Sequence, residues 1–370
     1  MAKELIKGNV AIAEAAVRAG LEAYFGYPIT PQTEVLEHLA RRMPELGRAF
    51  VQAESEVAAI NMVYGAACTG VRVMTSSSSP GVSLMQEGLS YIAGTELPAV
   101  LINVMRGGPG LGNIAPAQSD YFQAVHGGGH GDYHPIVLAP ASVQEAIDMT
   151  VLSFDLAEKY RSLVFLLADG LVGQMMEPAE LPEMRPVMRK AWDWSVGDRK
   201  NRERRVLTSI YINPPAEEQA NLRMFRTWQK IQQNEVRYKE YYLDDAEYVV
   251  VGFGTAGRVA LSAVRTMRQQ GVRVGLLRPV SLSPFPYAPI EALAERVGAF
   301  LVVEMNQGQM LMDVLLAVKG RVPVEFYGRP GGMVPFPEDI LAELQRMAST
   351  RLSISFDPRA AWLERMTAKR

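Results

Sequence analysis

Between Gly8 and about Gly173, short apolar runs alternate with stretches whose apolar residues recur every three or four positions. The first kind of run predicts buried strands and the second predicts helices packed by one face. Helices are predicted over residues 11–19, 33–43, 55–67, 81–92 and 142–159, the first of them stopped by Gly20. Strands are predicted over 21–26, 71–75, 97–104, 136–139 and 163–168. Such alternation implies an α/β fold with a doubly wound, mostly parallel sheet covered on both faces. Residues 175–243 break the rhythm with Pro178, Pro182, Pro186, Trp192 and Trp194, a basic run at 199–205, and one long charged helix over 217–242. The alternation resumes at Glu247, with strands over 248–251, 272–277 and 299–303 and helices over 256–270, 290–297 and 310–318. The reading is therefore a domain over 1–175, an irregular connector with a long helix over 176–243, and a smaller α/β domain over 244–370.

Composition narrows the chemistry. The net charge of −2 gives no reason to expect nucleic acid or an anionic membrane as a partner. No apolar run approaches the roughly 18 residues of a membrane span, and residues 1–9 do not read as a signal peptide, so a cytoplasmic protein is expected. The single cysteine, Cys68, excludes an intrachain disulfide and cannot hold an iron–sulfur cluster.

Several strand-to-helix junctions carry candidate chemistry. Tyr27-Pro28-Ile29-Thr30-Pro31 reads either as a helix start, with Thr30 as N-cap and Pro31 in the first turn, or as a site where free N–H groups meet a carboxylate. Glu54 and Glu56 precede an apolar helix, where acidic residues suit the helix dipole or serve chemistry. Ser76-Ser77-Ser78-Ser79-Pro80-Gly81 is a turn whose hydroxyls and N–H groups can also cradle a phosphate. Arg106, at the carboxyl end of a buried strand, can pair bidentately with a substrate carboxylate.

Other motifs fit less well. Gly252-Phe253-Gly254-Thr255-Ala256-Gly257 has the dinucleotide-binding spacing. The next strand, however, ends in Arg278-Pro279 instead of the ribose-binding acid, so the glycines read as a tight turn. His126, His130 and His134 sit among glycines, not on a helix, and read as part of a flexible active-site loop instead of a metal site. Asp169-Gly170 followed by Asn201 lacks the first glycine of a thiamine diphosphate Mg²⁺ motif.

Together these segments resemble the alpha subunits of 2-oxoacid:ferredoxin oxidoreductases. The resemblance rests on Gly26 to Pro31, Glu54-Ser55-Glu56 with Gly65, and Arg106-Gly107-Gly108-Pro109. Gly129-His130-Gly131-Asp132-Tyr133-His134 is similar to the branched-chain members. Arg278-Pro279, Pro284-Phe285-Pro286 and Glu304-Met305-Asn306-Gln307-Gly308-Gln309 resemble the family's transketolase-C-like domain. The resemblance implies a thiamine pyrimidine-binding domain over 1–175 and a cofactor, thiamine diphosphate, shared with a beta subunit. It implies Mg²⁺ and a [4Fe–4S] cluster in partner subunits, none in this chain, and coenzyme A as co-substrate. Gamma and ferredoxin-like delta subunits and ferredoxin are the further partners it implies. Residue by residue, Glu56 matches the cofactor-activating glutamate and Thr30 and Arg106 match contacts of the substrate carboxylate. Tyr27, Pro28, Ile29, Ser78 and Gly81 join Glu56 as cofactor-binding candidates. Helical geometry separates Glu54 from Glu56 by about 200°, so the two cannot share a pocket, and Glu56 falls on the apolar face.

Arg106 is followed by no Lys or Arg before Pro135, which favours a branched-chain 2-oxoacid over 2-oxoglutarate; pyruvate is the other alternative. The competing classes are an NAD(P)-dependent dehydrogenase and a non-catalytic assembly subunit.

Overall fold

In the computed structural model, which describes residues 3–187, 192–196 and 203–368, the alternation becomes two sheets with their own helices. The first unit contains β1 (Glu4–Lys7), α1 (Gly8–Arg18), β2 (Ala23–Gly26), α2 (Thr33–Glu45), β3 (Ala49–Gln52), α3 (Glu56–Cys68), β4 (Val73–Ser77) and α4 (Pro80–Gly94). It continues with β5 (Ala99–Met105), α5 (Tyr121–Val125), β6 (Ile136–Leu138), α6 (Val143–Tyr160), β7 (Leu163–Asp169), α7 (Gly170–Gln174) and β8 (Met176–Ala179).

Strands β6, β7, β5, β4, β2 and β3 lie side by side in that order and are parallel. Strands β5 and β7 are buried along their whole length, which is why their sequences are nearly continuous apolar runs. Helix α1 packs on α2 and α6, and α3 packs on α4. The chain therefore leaves β2 outward to β3, returns to β4, and winds on in the opposite direction. This reversal between β2 and β4 is the place where ligands bind in doubly wound sheets.

Two local features set that place. Ser55 caps α3, its hydroxyl accepting the Ala58 N–H at 3.2 Å, so α3 starts at the carboxyl edge of the sheet. Gly88 of α4 lets α3 approach closely, because a Cβ there would lie 2.5 Å from Ile60 Cγ2. The first turns of the two helices consequently lie side by side.

The second unit contains α8 (Pro214–Asn234), β9 (Tyr238–Tyr241), β10 (Tyr248–Val251), α9 (Gly254–Gln269), β11 (Val274–Pro279) and β12 (Ser281–Ser283). It ends with α10 (Tyr287–Ala294), β13 (Ala299–Glu304), α11 (Met310–Val318), β14 (Val324–Gly328), α12 (Pro337–Ser349) and α13 (Arg359–Ala368). Its sheet runs β14-β13-β10-β11-β9, with only β9 antiparallel.

The connector differs from its sequence reading. The long helix stops at Asn234, not near 242, because the Arg237 N–H turns to Ser281 Oγ at 2.8 Å and Tyr238–Tyr241 pairs with β11. Strand β8, read as irregular, pairs antiparallel with the unpredicted β1. Strand β12 crosses from the second unit to pair antiparallel with β6 of the first. Only part of the basic run lies within the described residues, where Arg204 and Arg205 are exposed. Among the described residues, no helix is long and apolar enough to cross a membrane.

Candidate functional site

The reversal between β2 and β4 gathers the predicted site residues at one edge of the first sheet. The segment after β2 is tied to β4 through buried polar groups. Ser76 Oγ donates to Gln32 Oε1 at 2.6 Å, Tyr24 Oη lies 2.7 Å from Ser76 Oγ, and Gln32 Nε2 donates to the Tyr27 carbonyl at 3.3 Å. Tyr27 and Ile29 are half-buried, while Pro28 and Thr30 are exposed. Thr30 is not the helix N-cap that its sequence suggested. The helix begins at Thr33, with Gln32 in the cap position, which leaves residues 27–31 as an open loop facing the crevice.

Glu56 and Glu54 do separate, though not through helical periodicity: Glu54 precedes the Ser55 N-cap, outside α3, and is exposed, whereas Glu56 opens the helix and is 6% exposed. The Glu56 carboxyl points at the first turn of α4. A Cβ on Gly81 would lie 2.6 Å from Glu56 Oε1 and 2.2 Å from Ser77 Oγ, so only glycine lets the carboxyl and the hydroxyl close against this turn. Glu56 has no hydrogen-bond or ion-pair partner among the described residues, and the buried hydroxyls of Ser77 and Ser78 have none either. Buried polar groups are normally satisfied, so this cluster is shaped for something outside the chain. A carboxyl, two hydroxyls and a bare helix turn suit a ring with hydrogen-bonding nitrogens. The residues therefore fit the pyrimidine end of thiamine diphosphate.

Arg106 follows β5 and is 8% exposed. Its Nη1 donates to the Thr30 carbonyl and its Nη2 to the Leu111 carbonyl, each at 2.9 Å, while the buried Nε has no partner. The structure thus brings Thr30 and Arg106 together and fixes the guanidinium plane with its Nε–H unused.

Beside Arg106 lies a carboxylate not singled out in the sequence. Asp120 Oδ2 accepts from Ser79 Oγ at 2.6 Å and from Asn103 Nδ2 at 2.9 Å. Burial pushes its carboxyl above the ordinary range, against those hydrogen bonds and the Arg106 charge. The Arg106 N–H donates to Ser79 Oγ at 3.0 Å, and the Ser79 N–H donates to Asn103 Oδ1 at 3.1 Å. This ring holds Ser79 at φ 27°, a conformation that costs a non-glycine residue about 1–3 kcal/mol and persists only where its surroundings enforce it. One signal was available: Asn103 is a polar residue inside an otherwise apolar strand, which demands a partner.

The second sheet has its own crevice, between the carboxyl ends of β10 and β13, and the first unit fills it. Asp169 Oδ2 accepts the Thr255 N–H at 2.9 Å, and its Oδ1 accepts Thr255 Oγ1 at 2.7 Å and the Val172 N–H at 3.1 Å. Gln118 Nε2 donates to the Phe253 carbonyl at 2.9 Å. The helix N-terminus where a dinucleotide would place its phosphates is thus occupied by the carboxylate of Asp169. Arg278, the other element of a nucleotide reading, is buried against Glu145 at 2.5 Å. The site offers no room for a dinucleotide. Asn201, the last position of the Mg²⁺-like motif, lies outside the described residues.

The histidines have separate surroundings. His126 Nε2 lies 2.9 Å from Asp313 Oδ2, the His130 N–H donates to Ser90 Oγ at 2.8 Å, and His134 stacks on Trp228 at 4.8 Å. Their loop runs down the flank of α4, away from Glu56, instead of covering the site: a Cβ on Gly129 would lie 2.3 Å from Ser90 Oγ. A cavity of about 650 Å³ is lined by His134, Arg161, Phe225 and Trp228 at the amino-terminal edge of the sheet, opposite Glu56 and Arg106.

Residues 14–249 match the family described as pyruvate flavodoxin/ferredoxin oxidoreductase, thiamine diphosphate-binding, and residues 246–340 match pyruvate:ferredoxin oxidoreductase core domain II. Ketoisovalerate oxidoreductase subunit VorB of Methanothermobacter thermautotrophicus is 50% identical over 348 residues, covering 94% of this chain and 99% of its own. 2-Oxoglutarate synthase subunit KorA of the same organism is 39% identical over 370 residues, covering 92% of this chain and 98% of its own. The solved 2-oxoglutarate:ferredoxin oxidoreductase from Magnetococcus marinus, with 2-oxoglutarate, coenzyme A and succinyl-CoA bound, matches with a TM-score of 0.82 at 28% identity. That match covers 93% of this chain and 65% of the solved one, so this chain spans about two thirds of its length.

Proposed function

The chain belongs to the 2-oxoacid:ferredoxin oxidoreductase family as an alpha subunit, part of an oxidoreductase that works as a complex, and from that premise we propose its substrate and the roles of its residues. The substrate is a branched-chain 2-oxoacid of the 2-oxoisovalerate type, oxidatively decarboxylated to its acyl-coenzyme A. The observation that carries this reading is the setting of Arg106: a fixed guanidinium with Nε unused, followed by a loop that bears Leu111 and Ile114 and no second cation before Pro135. A dicarboxylate needs a counter-charge at its far end, and an aliphatic tail does not. The higher identity to ketoisovalerate oxidoreductase subunits than to 2-oxoglutarate synthase subunits supports the same choice.

Arg106 binds the substrate carboxylate, and its hydrogen bonds to Thr30 and Leu111 orient it in advance, so little ordering remains for the substrate to impose. Glu56, buried beside Gly81, presents its carboxyl to a pyrimidine nitrogen. Tyr27, Pro28 and Ile29 wall the crevice, and Ser78 offers a hydroxyl. Thiamine diphosphate, when bound, supplies the carbanion-stabilising chemistry of the decarboxylation. Its diphosphate and Mg²⁺, together with the [4Fe–4S] cluster, belong to a beta subunit, since one cysteine cannot hold such a cluster. Gamma and delta subunits, with ferredoxin as acceptor, complete a cytoplasmic complex.

The test is 2-oxoacid-dependent viologen reduction by the complex reconstituted with its partner subunits. The expected order of kcat/KM has 2-oxoisovalerate above pyruvate and 2-oxoglutarate. Glu56→Gln should lower turnover by about 10²–10⁴-fold, the usual contribution of a positioned acid–base group, while Glu54→Gln is mild. A 2-oxoglutarate preference overturns the substrate, and near-normal Glu56→Gln turnover overturns the role of Glu56.

A further inference from the structure

We propose that Asp120 is a positioning residue of the 2-oxoacid site and that the turn at residues 304–309 of the second unit holds it in place. The inference rests on the reading of Arg106 as the carboxylate contact.

Asp120 belongs to no long element. It follows the loop after Arg106 and precedes the single turn of α5. Its backbone neighbours are gripped from the second unit. The Gln118 N–H donates to the Met305 carbonyl at 3.1 Å, and the Met305 N–H donates to Gln118 Oε1 at 3.1 Å. Asn306 Nδ2 donates to the Gln118 carbonyl at 2.7 Å, and Gln309 Nε2 donates to the Ser119 carbonyl at 2.7 Å. The Phe122 N–H donates to Gln309 Oε1 at 2.8 Å, and Tyr121 Oη donates to Asp313 Oδ2 at 2.8 Å. Asn306 is in turn fixed by Glu304 at 2.8 Å.

The Asp120 side chain faces the other way, into the first unit. Through Ser79 and Asn103 it closes the ring that holds Ser79 at φ 27° and ties down the Arg106 backbone. Ser79 also begins α4, the helix that carries Gly81 against Glu56. One carboxylate therefore touches both halves of the site's geometry. Its charge also lies near enough to Arg106 to be felt, so it opposes the anion that Arg106 is to bind. A merely structural carboxylate would change stability alone. Asp120 should instead move binding and turnover in a linked way: its removal strengthens the hold on the substrate anion and loosens the arrangement needed for turnover.

The experiment uses the complete complex with 2-oxoisovalerate, reading kcat, KM and a calorimetric Kd for Asp120→Asn, Gln309→Ala, Arg106→Lys and the paired variants. Asp120→Asn is expected to lower kcat by about 10–100-fold while KM and Kd fall severalfold. Gln309→Ala, farther from the substrate, is expected to lower kcat about tenfold, and the pair Asp120→Asn with Gln309→Ala to be less than additive. An Asp120→Asn enzyme with unchanged or raised KM, while Arg106→Lys raises KM, overturns the proposal and spares the reading of Arg106. An Arg106→Lys enzyme with normal KM and Kd overturns that reading instead. Should Asp120→Asn not assemble, Gln309→Ala decides: unchanged kcat overturns the proposal.

Discussion

The chain contains two topological reversals with the same design, a strand ending in a turn that opens a helix, and they meet opposite fates. In the first unit the turn before α4 keeps a bare glycine, two unpaired hydroxyls and a buried carboxyl that no described side chain pairs. In the second unit the turn before α9 carries the better-known glycine spacing, yet Asp169 and Gln118 of the first unit fill it. A glycine pattern describes what a backbone permits. What occupies the mouth of the turn decides whether a ligand enters, and here the occupant Asp169 lies 86 residues from Thr255 in sequence.

The two glycines give the strongest test of this contrast. Gly81→Ala drives a methyl group against Glu56 Oε1 and Ser77 Oγ, so turnover in the complex should fall about 100-fold, together with some loss of Tm. Gly254→Ala meets Asp169 Oδ2 at 2.8 Å and must adopt φ 50°, so it should lower Tm and leave the turnover of folded complex near normal. Activity assays beside thermal unfolding of both variants would show whether the two losses exchange places.

Asp169→Ala sharpens the contrast from the filled side. Removing the carboxylate leaves the buried Thr255 and Val172 N–H groups without acceptors, for a loss of roughly 4 kcal/mol by urea denaturation. Calorimetry on the wild-type chain should detect no saturable micromolar NAD(H) or NADP(H) binding, because the helix end is taken.

The smallest effect concerns Glu304, the buried group behind Asn306. Burial outweighs the N–H groups of Met310 and Leu311 and pushes its carboxyl up to about 7 from 4.5. A folded-state value above the unfolded one contributes stability that is fully present below about pH 4.5 and lost as pH rises through 7. Between pH 5 and pH 8 the wild type should therefore lose about 2 kcal/mol more than Glu304→Gln, measured by denaturant unfolding at each pH.

The sequence made the central strands and the helices around the first reversal readable, because burial on both faces demands long apolar runs. The strands it concealed, β1, β3, β8, β9, β12 and β14, are short, and all but β12 and β14 are largely exposed or half-exposed. Partners far along the chain, not their own composition, make them strands. The site divided in the same way. Glu56, Thr30 and Arg106 stand at predicted junctions and were legible with the family resemblance. Asp120 was not, since its meaning depends on Ser79, 41 residues earlier, and on a turn nearly 190 residues later.

Strand β12 has a consequence for how the protein is made. Until Ser281–Ser283 leaves the ribosome, β6 has no neighbour on its outer side. The nascent first unit therefore waits with an unpaired, wholly buried-type strand, Ile136–Leu138, at its border, the kind of border that recruits a stranger's strand. Synthesis at roughly 5–20 residues per second keeps it waiting for several seconds after the first unit is complete. That interval is when a chaperone would be most useful, and a gene split between the two units would make it permanent.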